Sequence, residues 1–382
     1  MVEVKGFRGL RYSFTDVSDV ITQPYDKISE TMQGEYYKKP HSYVRLILNR
    51  ESHESAANAL REWMKSGILK KDEREAIYPL EQEFLYKGKK LVRRGFIAIF
   101  RLDESAVIKH EKTLSKPKED RLKLLRAAQC DLEPIFLLYE RDIEVKSVER
   151  IAEGTEAGVK NTLYRIDDEE EISRIKNNLL HEKVLIADGH HRYEVALEYL
   201  KEKGRGPQEY KMAVFVNMRD PALVILPTHR LFYDVSLGDK EESRMREMFE
   251  ISEIKAIREP EKHEFVMYDG TKYLSLKPKN PDLEGQGHSK EYWALDTAMF
   301  QRLVVEKGFG IKDIESHVKY VRDASEGKAM VDRKECNLLF LLHPTGIDEV
   351  KKVSSNGEVM PQKSTDFYPK LPSGMVAYDL RG

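Results

Sequence analysis

Cysteine is nearly absent from this chain: its 382 residues hold two, Cys130 and Cys336. Two thiols cannot build the disulfide framework of a small secreted domain, so a reducing, cytoplasmic setting is expected. No apolar run approaches the ~20 residues that a membrane-spanning helix needs. Residues 1–9 lack the apolar stretch of a signal peptide. An excess of positive charge is missing as well. Lys and Arg number 64 against 66 Asp and Glu, a net charge of −2. That argues against the basic footprint of a direct nucleic-acid binder. Familiar catalytic signatures are lacking too. There is no Gly-x-x-x-x-Gly-Lys-Ser/Thr, no Gly-x-Gly-x-x-Gly behind a strand, no Gly-x-Ser-x-Gly and no protein-kinase loop set. Repeats and low-complexity segments are absent. What is present, 40% hydrophobic and 34% charged residues, suits a soluble globular chain. The length allows two or three domains at roughly 100–200 residues each.

One stretch organises the rest. Val184, Leu185, Ile186 and Ala187 run directly into Asp188, Gly189, His190, His191 and Arg192. Tyr193, Ala196, Leu197 and Leu200 follow at i, i+3, i+4, i+7, one face of a helix, and Gly204 stands where a C-cap falls. The pattern predicts a buried strand, a tight loop and an amphipathic helix. Backbone N–H groups at a helix start have no intrahelical partner, and the helix dipole is positive there. Arg192 and two imidazoles add to that field, so the loop is a candidate phosphate site. Asp188, at the strand end, is placed to hold Mg²⁺ or take a proton. The plain alternative is a turn, with Gly189 supplying a positive φ. A metal site made by His190 and His191 is disfavoured, because neighbouring residues point apart and no His-x-x-x-His accompanies them.

The flanking chain reads as mixed α/β. The N-terminal α/β region, 1–140, includes an expected strand over residues 43–48, a helix from Ser55 to Lys65 and a hairpin from Tyr78 to Phe100 turning at Lys87 and Gly88. Within it, His110, Glu111 and Lys112 form a loop dense in titratable groups. The core, 141–238, is expected as strand, helix, strand, loop and helix over 163–203, an α/β unit of the kind that binds nucleotides at strand ends. Two further strands follow, over 212–217 and 223–226. The second ends in Thr228, His229 and Arg230, which would converge on His190 to Arg192 if the two strands were neighbours. The C-terminal region, 239–382, is expected as α+β, with a hairpin over 263–276 around Asp269 and Gly270, a weak glycine-loop candidate at 285–287, a helix from Leu295 to Lys307 and an ordered extended tail. Lys363, Ser364 and Thr365 in that tail are candidates for contacting a phosphate or carboxylate.

These residues carry a resemblance. Asp188 to Tyr193 looks like the signature of the domain of unknown function 1015 family. Matching blocks are Phe7 to Tyr12, Gln23 to Asp26, His110 to Thr113, Leu226 to Leu231, Pro361 to Thr365 and Phe367 to Lys370. Gln23 departs from the second proline usual there. The Asp26 site assignment comes mostly from this match. More remotely, the strand–loop–helix unit resembles the phosphate loop of the ParB/sulfiredoxin-like superfamily, which includes CTP-binding ParB domains, sulfiredoxin and free L-serine kinases. The resemblance implies a ParB/sulfiredoxin-like nucleotide-binding core with flanking α+β regions.

The expected activity is that of a small-molecule kinase moving a phosphoryl group from ATP or ADP, with Mg²⁺, to a hydroxylated metabolite, with free L-serine as the first choice. Gly189, His190, His191, Arg192, His229, Arg230 and Lys363 would bind the nucleotide. Asp188 would hold the metal. Glu111, Asp188 and His190 would serve catalysis, with Glu111 or Asp26 as the base. The alternative is a non-catalytic nucleotide switch resembling ParB domains, and an oligomer fits either reading. A sulfiredoxin-like activity would need a cysteine where the loop has histidine.

Overall fold

The chain, seen in a computed structural model, is described at every residue except 112–114, 147, 284–286 and 382, and the side chains of 115–117 are likewise left aside. It is a mixed α/β protein that divides into two units. The first comprises Met1–Lys109, Thr113–Leu223 and Pro369–Gly382; the second comprises His110–Lys112 and Val224–Tyr368. These limits do not coincide with the expected boundaries after 140 and 238. Strands Glu149–Glu156 and Val159–Arg165 join Tyr78–Tyr86 in one sheet, so backbone pairing ties 141–165 to the N-terminal region.

That first unit is built on a nine-stranded sheet. Its long hairpin, Tyr78–Tyr86 with Lys89–Arg101, turns as expected at Lys87 (φ 48°) and Gly88 (φ 77°). Positive φ at both turn residues matches the right-handed twist of the flanking strands. Strand Tyr210–Asn217 pairs with this hairpin on one side and runs parallel to Ile135–Tyr139 on the other. Val184–Asp188 runs antiparallel to Ile135–Tyr139 and parallel to Val107–Ile108. The apolar runs at 135–139 and 184–187 are buried throughout, which explains why neither alternates. Ile175 and Leu179 of helix Glu169–Leu179 pack with Phe96, Ile135, Ile186 and Phe215 in the core. The expected order over 163–203 is therefore observed, although the strands at 163 and 184 are not neighbours in the sheet. Helix His190–Lys203 meets helix Ser115–Ala128 through Val195, Tyr199 and Leu122.

Residues 43–48 are not a strand. Val44–Ile47 is a short helix. Val44, Leu46 and Ile47 are all buried, and a short apolar run does not distinguish a buried strand from a buried helix turn. The tail is ordered, as expected: Tyr378–Asp379 pairs with Cys130–Asp131.

The second unit carries a six-stranded antiparallel sheet, in the order Phe249–Ile254, Tyr273–Pro278, Phe265–Tyr268, Leu338–Leu341, His229–Phe232, Val318–Val321. One face packs Phe232, Phe265, Phe300 and Phe340 together; the other packs Leu231, Val266, Val331 and Leu339. The Asp269 turn is held by its carboxylate, which accepts from the Thr271 and Lys272 N–H groups at 2.9 Å. The helix opening at Asp296 changes to π-helical turns over Phe300–Phe309. Among the described residues no helix is long and apolar enough to cross a membrane.

Candidate functional site

The motif strand delivers Asp188 to its end, and Gly189 then reverses direction with φ 95°. A side chain there would also crowd Ile135 and Arg192, whose atoms lie 3.0 and 3.1 Å from an added Cβ. Glycine is thus required twice, for its dihedral and for the close approach. The 14-residue helix His190–Lys203 starts immediately, with no side-chain cap and no acidic residue in its first turn. Ser52 and Asp168, by contrast, cap helices His53–Lys65 and Glu169–Leu179 with their side chains.

Asp188 accepts from the Gly189 N–H at 2.8 Å and from the Lys370 Nζ at 3.1 Å. Burial pushes its pKa up, but Lys370 and Arg192 outweigh that and hold it below the ordinary carboxylate value. Lys370 therefore sits where Mg²⁺ was expected. Among the described residues no three His, Cys, Asp or Glu gather as a metal cage. His190 and Arg192 are buried and His191 half-buried. The Arg192 Nη1 donates to the Pro134 carbonyl. Burial opposes its charge, yet Glu133, Asp188 and Asp26 more than compensate and raise its pKa. Asp26 is exposed in the short turn Tyr25–Lys27. The Tyr25 ring lies 4.2 Å from the Arg121 guanidinium, and its N–H donates to Glu133 at 3.2 Å. Glu133 also accepts from the Ser373 hydroxyl at 2.8 Å.

Sequence reasoning missed Lys370, Glu133 and Arg121. The one available signal was Lys370, which closes a motif block in an ordered tail. Its partner carboxylate lies 182 residues earlier.

The remaining expected residues lie in the second unit. His229 and Arg230 open strand His229–Phe232 instead of ending one, and the strand before them is reduced to Val224–Ile225, paired with Phe367–Tyr368. The expected strand-end convergence with His190 to Arg192 within one sheet does not occur, because the two strands belong to different sheets. Within this unit the blocks do come together. His110 Nε2 lies 2.9 Å from the Thr365 hydroxyl, and the His110 carbonyl accepts from the Met360 N–H at 3.0 Å. The half-buried Glu111 accepts from the Lys363 N–H at a long 3.5 Å. Lys363 itself has a left-handed backbone, φ 57°. The Thr345 hydroxyl donates to the Ser364 carbonyl at 2.7 Å, pinning the loop. Arg230 donates to the carbonyls of Thr228 and, at 3.3 Å, Lys363. It is 3% exposed and, among the described residues, has no carboxylate partner. Burial lowers its pKa to about 10. Burial and then Arg230 lower that of His229 to about 4, and the His229 Nδ1 accepts from the Leu342 N–H at 3.3 Å. Lys112, Thr113, Gly285 and Gln286 lie outside the described residues.

A family described as "Protein of unknown function (DUF1015)" matches residues 4–298. No curated protein matches. Among solved structures, a conserved hypothetical protein from Pyrococcus furiosus is similar at 16% identity over 74% of this chain and 97% of that one, with a TM-score of 0.38. A free serine kinase mutant in complex with AMP is similar at 15% identity over 74% and 91%, with a TM-score of 0.40. SbnI with a C-terminal truncation, from Staphylococcus aureus, gives 13% over 73% and 86%, with a TM-score of 0.39.

Proposed function

The chain belongs to the DUF1015 family, and from that premise we propose that it is a small-molecule kinase. The Asp188–Arg192 loop receives the phosphates of ATP or ADP. A hydroxyl acceptor takes the phosphoryl group, with free L-serine as the first choice, following the resemblance of the loop to that of free L-serine kinases. One observation carries the reading. A long helix opens from a buried strand through a left-handed glycine, uncapped by any side chain, with His190, His191 and Arg192 in its first turn. Such a helix start favours a bound anion.

In this reading the acceptor oxygen attacks the terminal phosphorus. The bond from that phosphorus to the leaving nucleotide oxygen breaks, and the hydroxyl proton passes to a carboxylate. Asp188 is poorly suited to take it, because Lys370 and Arg192 favour its ionised form and a weak base accepts protons poorly. Asp26, the candidate base that lies in the same unit as the loop and near enough to act on Arg192, is assigned as the base. Mg²⁺ would accompany the nucleotide as counter-ion to its phosphates. Asp188 is already bonded to Lys370, so the chain offers the ion no dedicated cage, and no step is assigned to it.

Phosphorus NMR of the protein with Mg²⁺, ATP or ADP, and a pool of amino and hydroxy acids tests the reading. A new phosphomonoester signal matching the loss of nucleotide phosphate is expected. Nucleotide binding without turnover would replace the kinase by the binding switch, and absence of binding would remove both. Arg192→Ala should weaken nucleotide binding by about 1.5–3 kcal/mol, the range for a charge-assisted hydrogen bond. Unchanged affinity by calorimetry would remove Arg192 from the site.

A further inference from the structure

Within the first unit a second cavity, of about 480 Å³, lies at the ends of strands Ile135–Tyr139 and Tyr210–Asn217. These two strands are parallel, and Tyr139 pairs with Asn217 at their carboxyl ends. That is where open α/β sheets collect ligands, and the volume falls within the usual range for small-molecule sites. The cavity is separate from the phosphate loop. Asp188 pairs with Phe136 at the other end of the same strand, roughly 10 Å from Tyr139 at the rise of a β-strand.

Its lining combines an apolar floor with an acidic rim. Phe96, Ile143 and Val145 provide the floor. Glu81 is neutralised by Arg94 at 3.0 Å. Asp142, Glu144 and Asp220 share the lining with one further cation, Arg219, while Arg174 and the buried Arg93 lie near enough to act on Glu144 and Asp220, which leaves Asp142 the least compensated. Asp220 is fixed by two backbone donors, the N–H groups of Arg94 at 3.1 Å and Ala222 at 2.8 Å, which orient it without cancelling its charge. Asp142 has no hydrogen-bond or ion-pair partner among the described residues. The independent observation is Tyr139. It lines the cavity at 3% exposure, and its hydroxyl has no hydrogen-bond partner among the described residues. Asp142 and Asp220 line the same cavity, and burial together with these carboxylates raises the pKa of the hydroxyl. The ring is buried while the hydroxyl stays reachable from the cavity, so its hydrogen-bond partner sits there.

We propose that this cavity binds a small organic cation, a primary ammonium on an apolar or aromatic body. The ammonium sits between Asp142 and Asp220 and donates to the Tyr139 oxygen. The body lies against Phe96 and Val145. An anion would meet the unpaired Asp142 carboxylate, and a bare metal ion would leave the apolar floor unused.

Benzylammonium is the probe, with benzyl alcohol and phenylacetate as isosteric neutral and anionic controls. Calorimetry and saturation-transfer NMR on the full chain should show saturable benzylammonium binding. Benzyl alcohol should bind about tenfold more weakly and phenylacetate should not bind, as expected when a charge-assisted contact is lost. Asp142→Asn should weaken benzylammonium about tenfold; that side chain is exposed and bonds nothing, so the fold is kept. Tyr139→Phe should weaken it about threefold to tenfold, the range for one neutral hydrogen bond. No saturable binding, equal binding of benzyl alcohol, or an unchanged Asp142→Asn would each overturn the proposal.

Discussion

Arg192 in the first unit and Arg230 in the second carry buried positive charge differently. In the first, Arg192, Lys370 and Lys211 each have an acid beside them, whereas Arg93, bonded to the Gln82 side chain and the Pro369 carbonyl, has its pKa lowered by burial to about 9. Arg192 lies among Glu133, Asp188 and Asp26, Lys370 bonds Asp188, and Lys211 bonds Asp131. In the second, Arg230 is equally buried, bonds two carbonyl oxygens and lies 5.6 and 5.9 Å from the rings of Tyr320 and Phe300, and burial outweighs the support its charge draws from Tyr320 and Glu315. Desolvation therefore costs Arg192 and Arg230 different amounts. Arg192 is compensated within the fold, so its charge is settled before any ligand arrives. Arg230 is under-compensated, and a bound anion would complete its surroundings. Arg192 and Arg230 were both expected to contact phosphate, yet of the two only Arg230 has its charge disfavoured by its surroundings.

The largest effect expected is on turnover. Asp26→Asn keeps the size of the side chain and removes the basic oxygen. Under the kinase reading kcat should fall by about 10²–10⁴ while nucleotide affinity stays within roughly twofold, because general base catalysis acts on the acceptor. Normal turnover would reject Asp26 as the base. Next comes Lys211→Met. Lys211 is 4% exposed and bonds both the Asp131 carboxylate and the Glu133 carbonyl. Removing it strands a buried carboxylate, so chemical unfolding should show a loss of about 3–5 kcal/mol. A loss below about 1 kcal/mol would mean that the first unit's charges are not compensated pairwise.

The strand–loop–helix at 184–203 was legible because its signals are local. A buried run gives way to helical spacing, with Gly189 and Gly204 as punctuation. The hairpins at Lys87–Gly88 and Asp269–Gly270 were legible for the same reason. What decides the charge comparison was not. Lys370 finds Asp188 across 182 residues and Lys211 finds Asp131 across 80, and composition carries no record of such pairings. The division into units was hidden too, because the chain leaves the first unit at Val224 and returns to it at Pro369. Arg230 was identified as a site residue, but its under-compensation appears only when the strands are paired.

Acid separates the units next. Burial lowers the His229 pKa from 6.5 to about 4. Its unfolded form therefore binds the proton more readily, and the stability it contributes is full above 6.5 and lost as pH falls towards 4. The loss amounts to about 3 kcal/mol at ~1.4 kcal/mol per pKa unit. Asp188 is also lowered, but from 3.8, so its contribution persists until pH falls below that value. The second unit should lose stability between pH 6.5 and 4, before the motif loop does. Thermal melts across that range, read against His229→Gln, check the order; the variant should have a flat profile there. An equally steep fall in the variant would assign the acid sensitivity to other groups.

The smallest effect is the most discriminating. Arg230→Met exchanges an under-compensated guanidinium for an apolar chain of similar length. It forfeits the bonds to Thr228 and Lys363, each worth about 1.5–3 kcal/mol where one partner is charged. It also removes the desolvation cost of the charge, of similar size, so net stability should change by no more than about 1 kcal/mol. Arg192→Met should behave differently, because it takes a cation from the buried Glu133 while Asp188 keeps Lys370, and about 3–5 kcal/mol should be lost. The two variants should diverge again with inorganic phosphate. Wild-type protein should melt higher as phosphate rises, by mass action on an anion site, and Arg230→Met should lose part of that response at nearly unchanged basal stability. If Arg230→Met costs as much as Arg192→Met, the guanidinium in the second unit is compensated after all. If phosphate protects both equally, the under-compensation of Arg230 has no bearing on anion binding.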